Sequence, residues 1–597
     1  MFSSRLVTFL QLALVVGGVA ASPTGLSTET DVTGTSTSST SATASPTSVP
    51  SASLSESSSA TSSASSSAAS ALATATLDKA QVIGVVNGAV TSFHGIPFAE
   101  PPVGDLRLRL PVPVESYTGT IDATQAAIQC MQLVPQIRED MPAEMLADMM
   151  VEASGIARGS SGPQSEDCLT INVQVPTGTK AGDKLPVIAW IFGGGFVVGS
   201  SELFPGDPIV AHSVAMGQPV IYAAMNYRVG PFGFLGGKEV KEAGVGNLGL
   251  QDQREALRWI QRHIAAFGGD PEKVTLWGPS AGAISSALHM ITNHGNTEGL
   301  FRGAIMSAGS PPPTGDIEEF QPFYDQIVDA TGCTTASDTL ACLRQVPADN
   351  LAAAAAALPN LFSYSGIATP WSPGADGKFL TAPPQHLVLA GQVADIPFIT
   401  GDALDEGTIF ATGSWNVTTE QEFHDYVHEY FFSSAPEAVL EPLFSLYPAD
   451  PAAGSPFMTG DDNQLAPMYK RMAAFQGDVV FQAPRRFFLD KRSSKQPTWS
   501  YIGQTGNSPG LGYAHGSDLL PAFMGAALAD YIIQFVATLD PNGDNANGTA
   551  SAIYWPKYDT VQRQVLETHD DGVAIGADTL RLEPMAALTA ISLAYPI

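Results

Sequence analysis

Residues 274–283 read Val-Thr-Leu-Trp-Gly-Pro-Ser-Ala-Gly-Ala, in which a short apolar segment leads into the pentapeptide G-x-S-x-G centred on Ser280. The following residues, 281–290, are rich in Ala and favour a helix. A strand-to-helix turn of this kind exposes a serine hydroxyl as a nucleophile. An earlier apolar segment, 185–192, leads into the glycines at 193–195, whose backbone N–H groups can stabilise an oxyanion. Together the two stretches predict acyl-transfer chemistry.

A second G-x-S-x-G occurs at residues 506–510, centred on Ser508. Pro509, Gly510 and Gly512 disfavour the helix that should follow a nucleophilic serine at such a turn. We therefore predict Ser280, and not Ser508, as the nucleophile.

Apolar segments that end near Gly or Asn recur along the chain, and helical stretches such as 252–267 separate several of them. Buried strands that alternate with helices predict an α/β fold with a large, mostly parallel sheet covered by helices on both faces. Active residues are then expected at the carboxyl ends of the strands. The predicted strands are 187–192, 219–225, 274–277, 303–306, 396–400 and 499–502.

The N-terminal region has two compositional segments before the catalytic domain. Residues 1–21 carry Arg5, an apolar run and small residues near the end, which together predict a signal peptide and a secreted protein. Residues 22–77 consist almost entirely of Ser, Thr, Ala and Pro and predict a disordered stalk. This stalk is either O-glycosylated or an unmodified spacer, and it leaves a cell-wall tether open as an additional role. Residues 78–597 are expected to form one catalytic domain.

The charge of the chain excludes some classes of partner. A net charge of −30 disfavours binding to nucleic acids and to anionic membrane surfaces, because both would repel the protein. After the leader, no apolar run is long enough for a membrane span, so stable membrane insertion is not expected. We expect no metal site and no cofactor, since no clustered His or Cys-x-x-Cys accompanies the four cysteines.

A serine nucleophile needs a base and a carboxylate that orients it, and in a strand-turn-helix hydrolase both follow the serine in the order acid, then histidine. The turn at 401–407 offers three carboxylates, Asp402, Asp405 and Glu406. Turn chemistry slightly favours Glu406 because Gly407 lets the backbone expose it, whereas the two aspartates also suit helix caps or solvated turns.

His515 is the favoured base because it lies in a glycine-bearing loop after the last clear strand. The alternative, His569, lies among acidic residues. Three other histidines violate the expected chain order, and two belong to a charged helix that is predicted to be exposed. These are His289, His294 and His386, and then His424 and His428.

In these motifs the chain resembles type-B carboxylesterases and lipases of the α/β-hydrolase fold, a family that includes cholinesterases. It is most similar to extracellular lipases of the Candida rugosa type and to fungal sterol esterases. The resemblance extends over about residues 78–597. It is carried by Phe93 to Gly104, Ser165 to Leu169, Phe192 to Phe196, Asn226 to Val229, Ala265 to Pro271 and Asp405 to Thr408.

The resemblance assigns roles to residues that physical reasoning left open. It implies Glu406 as the acid, supports Ser280 and His515, and implies that the N–H groups of Gly194, Gly195 and Ala281 form the oxyanion hole. Neighbouring cysteines are expected to pair in a secreted chain, and the resemblance supports the disulfides Cys130–Cys168 and Cys333–Cys342. It also implies buried ion pairs between Arg107 and Glu166 and between Arg228 and Asp252.

The segment between Cys130 and Cys168 is expected to bear on substrate binding. On a helix from about Met141, an apolar face would oppose Asp140, Glu144 and Asp148. In lipases that this chain resembles, this segment is a lid that covers the site when shut and contacts lipid when open. The alternative is an ordinary amphipathic surface helix. The predicted lid residues are Met141, Met145, Leu146, Met149 and Met150.

One residue departs from the family, because relatives usually carry Glu before the nucleophile and this chain has Pro279. Loss of that negative charge should make His515 titrate at a lower pH than in relatives with Glu. Two N-glycosylation sequons begin at Asn416 and Asn547.

The predicted function is a secreted carboxylic ester hydrolase, a lipase or sterol esterase that acts on lipid aggregates through an acyl-enzyme on Ser280. Two alternatives remain, a carboxylesterase for soluble short-chain esters and a non-catalytic adhesion module like those related to cholinesterases. The apolar face of an open lid would also offer a surface for a homodimer.

Overall fold

The computed structural model describes residues 71–147, 149, 162–543 and 553–597, and these belong to one compact unit. In these ranges thirteen strands form a single sheet. The strands are β1 (Ala71–Leu77), β2 (Lys79–Asn87), β3 (Val90–Pro97), β4 (Thr118–Asp122), β5 (Thr170–Pro176), β6 (Leu185–Ile191), β7 (Ile221–Met225), β8 (Gly269–Pro279), β9 (Gly303–Ser307), β10 (Phe398–Ala403), β11 (Thr498–Gln504), β12 (Gln564–His569) and β13 (Gly572–Ala577).

The centre of the sheet is parallel and its margins are antiparallel, except that β4 pairs with β2 in parallel. Strands β7, β6, β8, β9, β10, β11 and β12 are neighbours in that order, and all six pairings between them are parallel. β1, β2, β3 and β5 extend one margin in antiparallel pairs, and β13 closes the other. The six strands predicted from the sequence are β6 to β11, so the predicted mostly parallel α/β sheet is confirmed.

Helices cover both faces of the sheet. Along β6, Val187, Ala189 and Ile191 enter the larger apolar core, whereas Ile188 and Trp190 enter a second core on the opposite face. Besides the helical residues 143–147, the described α-helices span Asp207–Ala215, Gly230–Gly233, Lys238–Ala243, Leu248–His263, Ala281–Ile291, Gln321–Ala330, Thr339–Gln345, Ala348–Ala356, Pro384–Leu389, Thr408–Ala411, Glu420–Tyr430, Glu437–Leu446, Tyr469–Gly477, Ala483–Arg492, Leu519–Phe523, Ala527–Thr538 and Leu582–Ala594.

The folded region begins earlier than the sequence indicates. β1 lies in the segment 22–77 assigned to the stalk, and all seven of its residues pair with β2 in an antiparallel hairpin. The Ala and Thr content of β1 resembles that of the predicted stalk, so composition does not reveal the strand. Only its pairing with β2 shows that these residues form a strand. The predicted boundary at residue 78 is therefore too late. The predicted signal peptide and residues 22–70 lie outside the described residues.

Two disulfides and two buried ion pairs hold the connections around the sheet. The disulfides Cys130–Cys168 and Cys333–Cys342 both form, as predicted. Both oxygens of Glu166 accept hydrogen bonds from Arg107, and both oxygens of Asp252 accept from Arg228, with all four side chains largely buried. The predicted ion pairs are thus confirmed. No helix in the described ranges combines the length and the apolar character needed to cross a bilayer.

Candidate active site

Ser280 lies at the sharp turn between β8 and the helix Ala281–Ile291, with φ of 53° and ψ of −124°. Such a backbone conformation is unfavourable for a residue with a side chain, and here it is held by a 2.8 Å hydrogen bond from the Ser280 N–H to the carbonyl of Ser307. A Cβ atom at Gly278 or Gly282 would lie 2.5 Å or 2.0 Å from the carbonyl oxygen of Ile191. The glycines of the pentapeptide therefore let this turn pack against β6.

The glycine loop that follows β6 contacts the same turn. A Cβ atom at Gly193 would lie 2.7 Å from the Pro279 carbonyl oxygen and 3.0 Å from Cβ of Ser280. Gly194 and Gly195 have φ values of 116° and 60°, which side-chain-bearing residues rarely adopt. The loop thus lies directly beside the serine turn, where the resemblance implies the oxyanion donors.

His515 and Glu406 form a buried hydrogen-bonded pair. Nδ1 of His515 is joined to one carboxylate oxygen of Glu406, and the other oxygen accepts a 2.6 Å bond from the Ala403 N–H. The Glu406 side chain is fully buried, whereas that of His515 is 13% exposed. The imidazole packs on the rings of Phe481 and Phe410, with centroids 4.7 Å and 5.2 Å away. Nε2 is thus the ring nitrogen left for a reacting group.

The charges around His515 favour its protonated form. Burial by itself would lower the pKa of His515, but the charge and hydrogen bond of Glu406, followed by the charges of Asp518 and Asp402, outweigh this effect. The pKa of the imidazole therefore lies above its ordinary value.

The other two carboxylates of the turn have separate partners. Asp402 is fully buried and accepts a 2.9 Å bond from Nε of Arg485. Asp405 accepts bonds of 2.7 Å from the Ser455 hydroxyl and 2.8 Å from the Phe457 N–H. Among the three carboxylates, Glu406 is the one that contacts a histidine in the described structure.

The alternative histidines and the second serine have structural surroundings. His289 is buried with Nε2 3.0 Å from the Gln253 side chain, and His424 stacks on Phe444 with centroids 3.6 Å apart. His569 ends β12 beside Glu567. Ser508 lies in a tight turn in which its N–H and the Gly512 carbonyl form a 2.9 Å hydrogen bond, and the next helix of the described chain begins only at Leu519. The choice of Ser280 and His515 over these residues remains a prediction.

A cavity of about 1180 Å³ opens beside Ser280 and His515. Its wall is mainly apolar and includes the glycine loop, so the groups implied for the oxyanion hole border the same space as the serine and histidine. The lining residues include Gly194, Gly195, Ala281, Phe196, Leu361, Phe362, Ile409, Phe410, Phe431, Phe481 and Leu519.

The described part of the predicted lid is amphipathic, as expected. Residues 143–147 are helical; Met141, Met145 and Met149 are buried, Leu146 is half-buried, and Glu144 is exposed. The buried methionines belong to the main core and not to the described cavity wall. That these methionines cover the active site remains a prediction. Asp148 and Met150 lie outside the described residues.

The segment before Met141 is fixed to the turn that follows Glu406. Arg138 donates from Nη1 to the Gly413 carbonyl at 2.7 Å and to Oδ1 of Asn416 at 2.8 Å. Asn416 is exposed, so its sequon is accessible, but its glycosylation remains a prediction. The sequon at Asn547 lies outside the described residues.

Two groups near the site have no motif in the sequence that identifies them. Asp518 is buried and borders the cavity with His515. Arg485 bridges Asp402 and Asp578 inside the core. Spacing from His515 could have pointed to Asp518, whereas the partners of Arg485 depend on tertiary contacts.

The model of the carboxylesterase family matches residues 71–583 of this chain. The chain belongs to the carboxylesterase family. Among curated proteins, it is 44% identical over 499 residues to "Secreted lipase 1" of Botryotinia fuckeliana, with 80% of this chain and 86% of that protein covered. It is 39% identical over 531 residues to "Lipase 4" of Diutina rugosa, with 86% and 95% covered. The crystal structure of Aspergillus niger EstA superposes with a TM-score of 0.74 at 27% identity, covering 88% of this chain and 99% of that one.

Membership of the carboxylesterase family agrees with the geometry of the site. This carboxylesterase-family member is a carboxylic ester hydrolase with an α/β-hydrolase fold, as the resemblance implied. The similarity to Diutina rugosa and other fungal lipases confirms the group of relatives expected from the motifs.

Proposed function

We propose that the protein is a secreted lipase that hydrolyses water-insoluble carboxylic esters through an acyl-enzyme on Ser280. The observation that carries this proposal is that the strained Ser280 turn, the glycine loop and His515, whose Nδ1 is bonded to Glu406, border one large apolar cavity. A nucleophile, a base with an orienting acid and oxyanion donors are the parts that acyl transfer needs.

In the proposed reaction, His515 accepts the proton of the Ser280 hydroxyl while Oγ attacks the ester carbonyl. The N–H groups of Gly194, Gly195 and Ala281 stabilise the negative oxygen of the tetrahedral intermediate. His515 then protonates the leaving alcohol, and an acyl-enzyme remains. Water, deprotonated by His515, attacks this ester and releases the acid. Glu406 holds the imidazole in the required tautomer and stabilises its charged form.

The cavity supports a lipid substrate. Its volume of about 1180 Å³ exceeds the roughly 300 to 1,000 Å³ of typical small-molecule sites. Its wall contains phenylalanine, leucine and isoleucine side chains that match an acyl chain. Relatives at 44% and 39% identity are named lipases, one of them secreted. We propose the extracellular space as the location and lipid aggregates as the partner.

The segment from Met141 to Met150 is proposed as the lid. Its methionines can repack against varied chains when the segment moves. Because Met145 and Met149 are now packed in the core, opening would expose apolar surface that a lipid aggregate or a second copy of the chain could cover.

A series of p-nitrophenyl esters from short to long acyl chains tests the proposal, with rates measured below and above substrate solubility. A lipase gives a rise in rate when the substrate aggregates and a preference for long chains. Saturation below solubility with a short-chain preference would instead identify an esterase for soluble esters. Activity that persists in Ser280→Ala would contradict the mechanism itself, and Ser508→Ala serves as the matched control.

A further inference from the structure

Glu202 places a carboxylate in the mainly apolar wall of the cavity that Ser280 also borders. It lies on the connection between β6 and the helix Asp207–Ala215. This connection returns to the glycine loop, because a Cβ atom at Gly199 would lie 2.5 Å from the Gly193 carbonyl oxygen. The reaction proposed above assigns no role to Glu202.

One oxygen of this carboxylate is held by donors from three separate segments. Oε1 of Glu202 lies 3.0 Å from Nδ1 of His94. The same oxygen accepts bonds of 2.9 Å from the Ala127 N–H and 2.8 Å from the Asn172 side-chain amide. His94 belongs to β3 and Asn172 to β5. The carboxylate therefore has a defined position before any ligand binds.

A register shift between β3 and β5 accompanies the contact of His94 with Glu202. Two residues of β3, His94 and Gly95, occupy the space opposite Asn172 alone. Gly95 has a φ of 67°, and its N–H donates to Oδ1 of Asn172 at 2.8 Å. Bulges of this kind redirect side chains and are common beside functional sites. The backbone of two strands thus contributes to the position of Glu202.

The second oxygen of Glu202 is accessible to a ligand. In the described part of the chain Oε2 accepts no hydrogen bond, and solvent still reaches this atom. The side chain as a whole is 21% exposed. Burial by itself would raise the pKa of Glu202, but the hydrogen bond and charge of His94, followed by the bonds from Ala127 and Asn172, outweigh burial and lower it. Oε2 is therefore an ionised acceptor at neutral pH.

The cavity restricts the kind of donor that can reach this oxygen. A carboxylate accepts hydrogen bonds and donates none. An ammonium group would lose much of its hydration in a mainly apolar cavity, whereas a neutral hydroxyl group loses far less on burial. An unsubstituted acyl chain offers no donor at all. A hydroxyl group is thus the donor that suits both the carboxylate and its apolar surroundings.

We propose that Glu202 is a specificity-determining residue whose Oε2 accepts a hydrogen bond from a free hydroxyl group of the ester substrate. This inference rests on the proposed function, because it names a substrate class for the same cavity. The hydroxyl belongs either to the alcohol part, as in a mono- or diacylglycerol, or to a hydroxylated acyl chain. A fully esterified glycerol with unsubstituted acyl chains lacks this donor.

Pairs of soluble esters that differ only in the donor test the proposal with the full-length protein. Glyceryl monobutyrate is compared with its dimethyl ether, and ethyl 6-hydroxyhexanoate with ethyl 6-methoxyhexanoate. In at least one pair, kcat/KM should be about tenfold higher for the hydroxyl ester, as expected for one hydrogen bond to a charged group. The pair that responds identifies the alcohol or the acyl part as the source of the hydroxyl. Equal kcat/KM within both pairs would overturn the proposal.

Glu202→Gln separates recognition of the substrate from the structural bonds of Oε1. The glutamine carbonyl can still accept from the three donors, whereas its NH2 group replaces Oε2 and can donate to an ether oxygen. The preference for the hydroxyl ester should therefore be lost. Asp207→Asn is the matched control, because Asp207 accepts a bond from Gln174 nearby but does not border the cavity. The preference should persist in this control.

A preference that persists in folded Glu202→Gln would refute the role of Glu202. Thermal unfolding shows whether the variant is folded. If Glu202→Gln does not fold, the comparison of the ester pairs in the wild type decides alone.

A binding measurement separates this inference from the proposed function. In Ser280→Ala, displacement of a fluorescent apolar probe measures the binding of 1-O-dodecylglycerol against its dimethyl ether, and of 12-hydroxydodecanoate against 12-methoxydodecanoate. None of these ligands is an ester. In at least one pair the hydroxyl compound should bind about tenfold more tightly, and Glu202→Gln should remove the difference. Equal binding within both pairs would refute the role of Glu202, whereas a retained difference without ester hydrolysis by the wild type would refute the proposed function alone.

Discussion

Asp405 and Ala514 pair as an isolated parallel bridge, so the residues that follow them, Glu406 and His515, are held in register. The Asp405 N–H donates to the Tyr513 carbonyl at 3.0 Å, and the Tyr513 N–H donates back to the Asp405 carboxylate at 3.0 Å. This bridge joins two loops that are 109 residues apart at Glu406 and His515. Glu406 and His515 thus owe their contact to the residues that precede them.

The bridge predicts that substitutions at Glu406 and at Asp405 have different effects. Glu406→Gln should lower kcat by about 10²- to 10⁴-fold with little loss of stability, because it removes the charge and tautomer control on His515. Asp405→Asn should cost about 1 to 3 kcal/mol of unfolding free energy, because its hydrogen-bond acceptors are buried. Kinetics and thermal unfolding of both variants measure the two effects. A larger loss of kcat in Asp405→Asn than in Glu406→Gln would contradict the assignment.

The two pentapeptides predict a clear contrast between their serines. Ser280→Ala should reduce kcat by about 10⁴-fold or more, since the nucleophile is lost. The kcat of Ser508→Ala should stay within about twofold of the wild-type value, because Ser508 lies in a turn away from any helix start. Turnover of p-nitrophenyl butyrate and labelling by a fluorophosphonate probe check both variants. Labelling that persists in Ser280→Ala would refute the choice of nucleophile.

Pro279 predicts an effect on pH dependence. The raised pKa of His515 places the acidic limb of wild-type kcat/KM above the ordinary histidine value, since the base must be neutral. Pro279→Glu adds a carboxylate at the cavity wall and should move this limb up by about one pH unit. Pro279→Ala, which adds no charge, is the control. A pH profile for Pro279→Glu that matches Pro279→Ala would show that residue 279 does not affect His515.

The buried cluster behind the acid turn predicts a pH-dependent loss of stability. Asp578 accepts bonds from Arg485 and Arg486 inside the core. Burial raises the pKa of Asp578, but the two guanidinium groups outweigh burial and hold it well below its ordinary value. Asp578→Asn should therefore cost about 3 to 5 kcal/mol at neutral pH, because the buried Arg486 loses its carboxylate partner and Arg485 keeps only Asp402.

The sign of this effect follows from the lowered pKa. The stabilisation by Asp578 is complete above the pKa of an unfolded aspartate, about 3.9, and decreases as the pH falls below it. Urea unfolding at pH 7 and at pH 3 measures the free energy of unfolding of the wild type and of Asp578→Asn. The difference between the two proteins should be smaller at pH 3 than at pH 7. The exposed Asp570→Asn is the control, with an expected change within about 0.5 kcal/mol.

Much of the site could be predicted from the sequence because its parts are local. The apolar segment, Gly278, Ser280 and Gly282 define a strand, a turn and a helix within one short stretch, and backbone sterics allow few alternatives. Chain order then restricted the base to few histidines. By contrast, β1 has the composition of the stalk, so only its pairing with β2 shows where the fold begins.

The sequence by itself determined the choice of Ser280 as the candidate nucleophile, the parallel α/β sheet and the glycine loop, because each depends on periodicity and turn chemistry between near neighbours. Only the tertiary structure decided which carboxylate contacts His515, since Asp402, Asp405 and Glu406 share one turn and differ in partners that come from distant segments. The same holds for Asp518, whose burial beside His515 arises where β11 and the histidine loop pack together. Charges act through space, and their neighbours are set by packing and not by order along the chain.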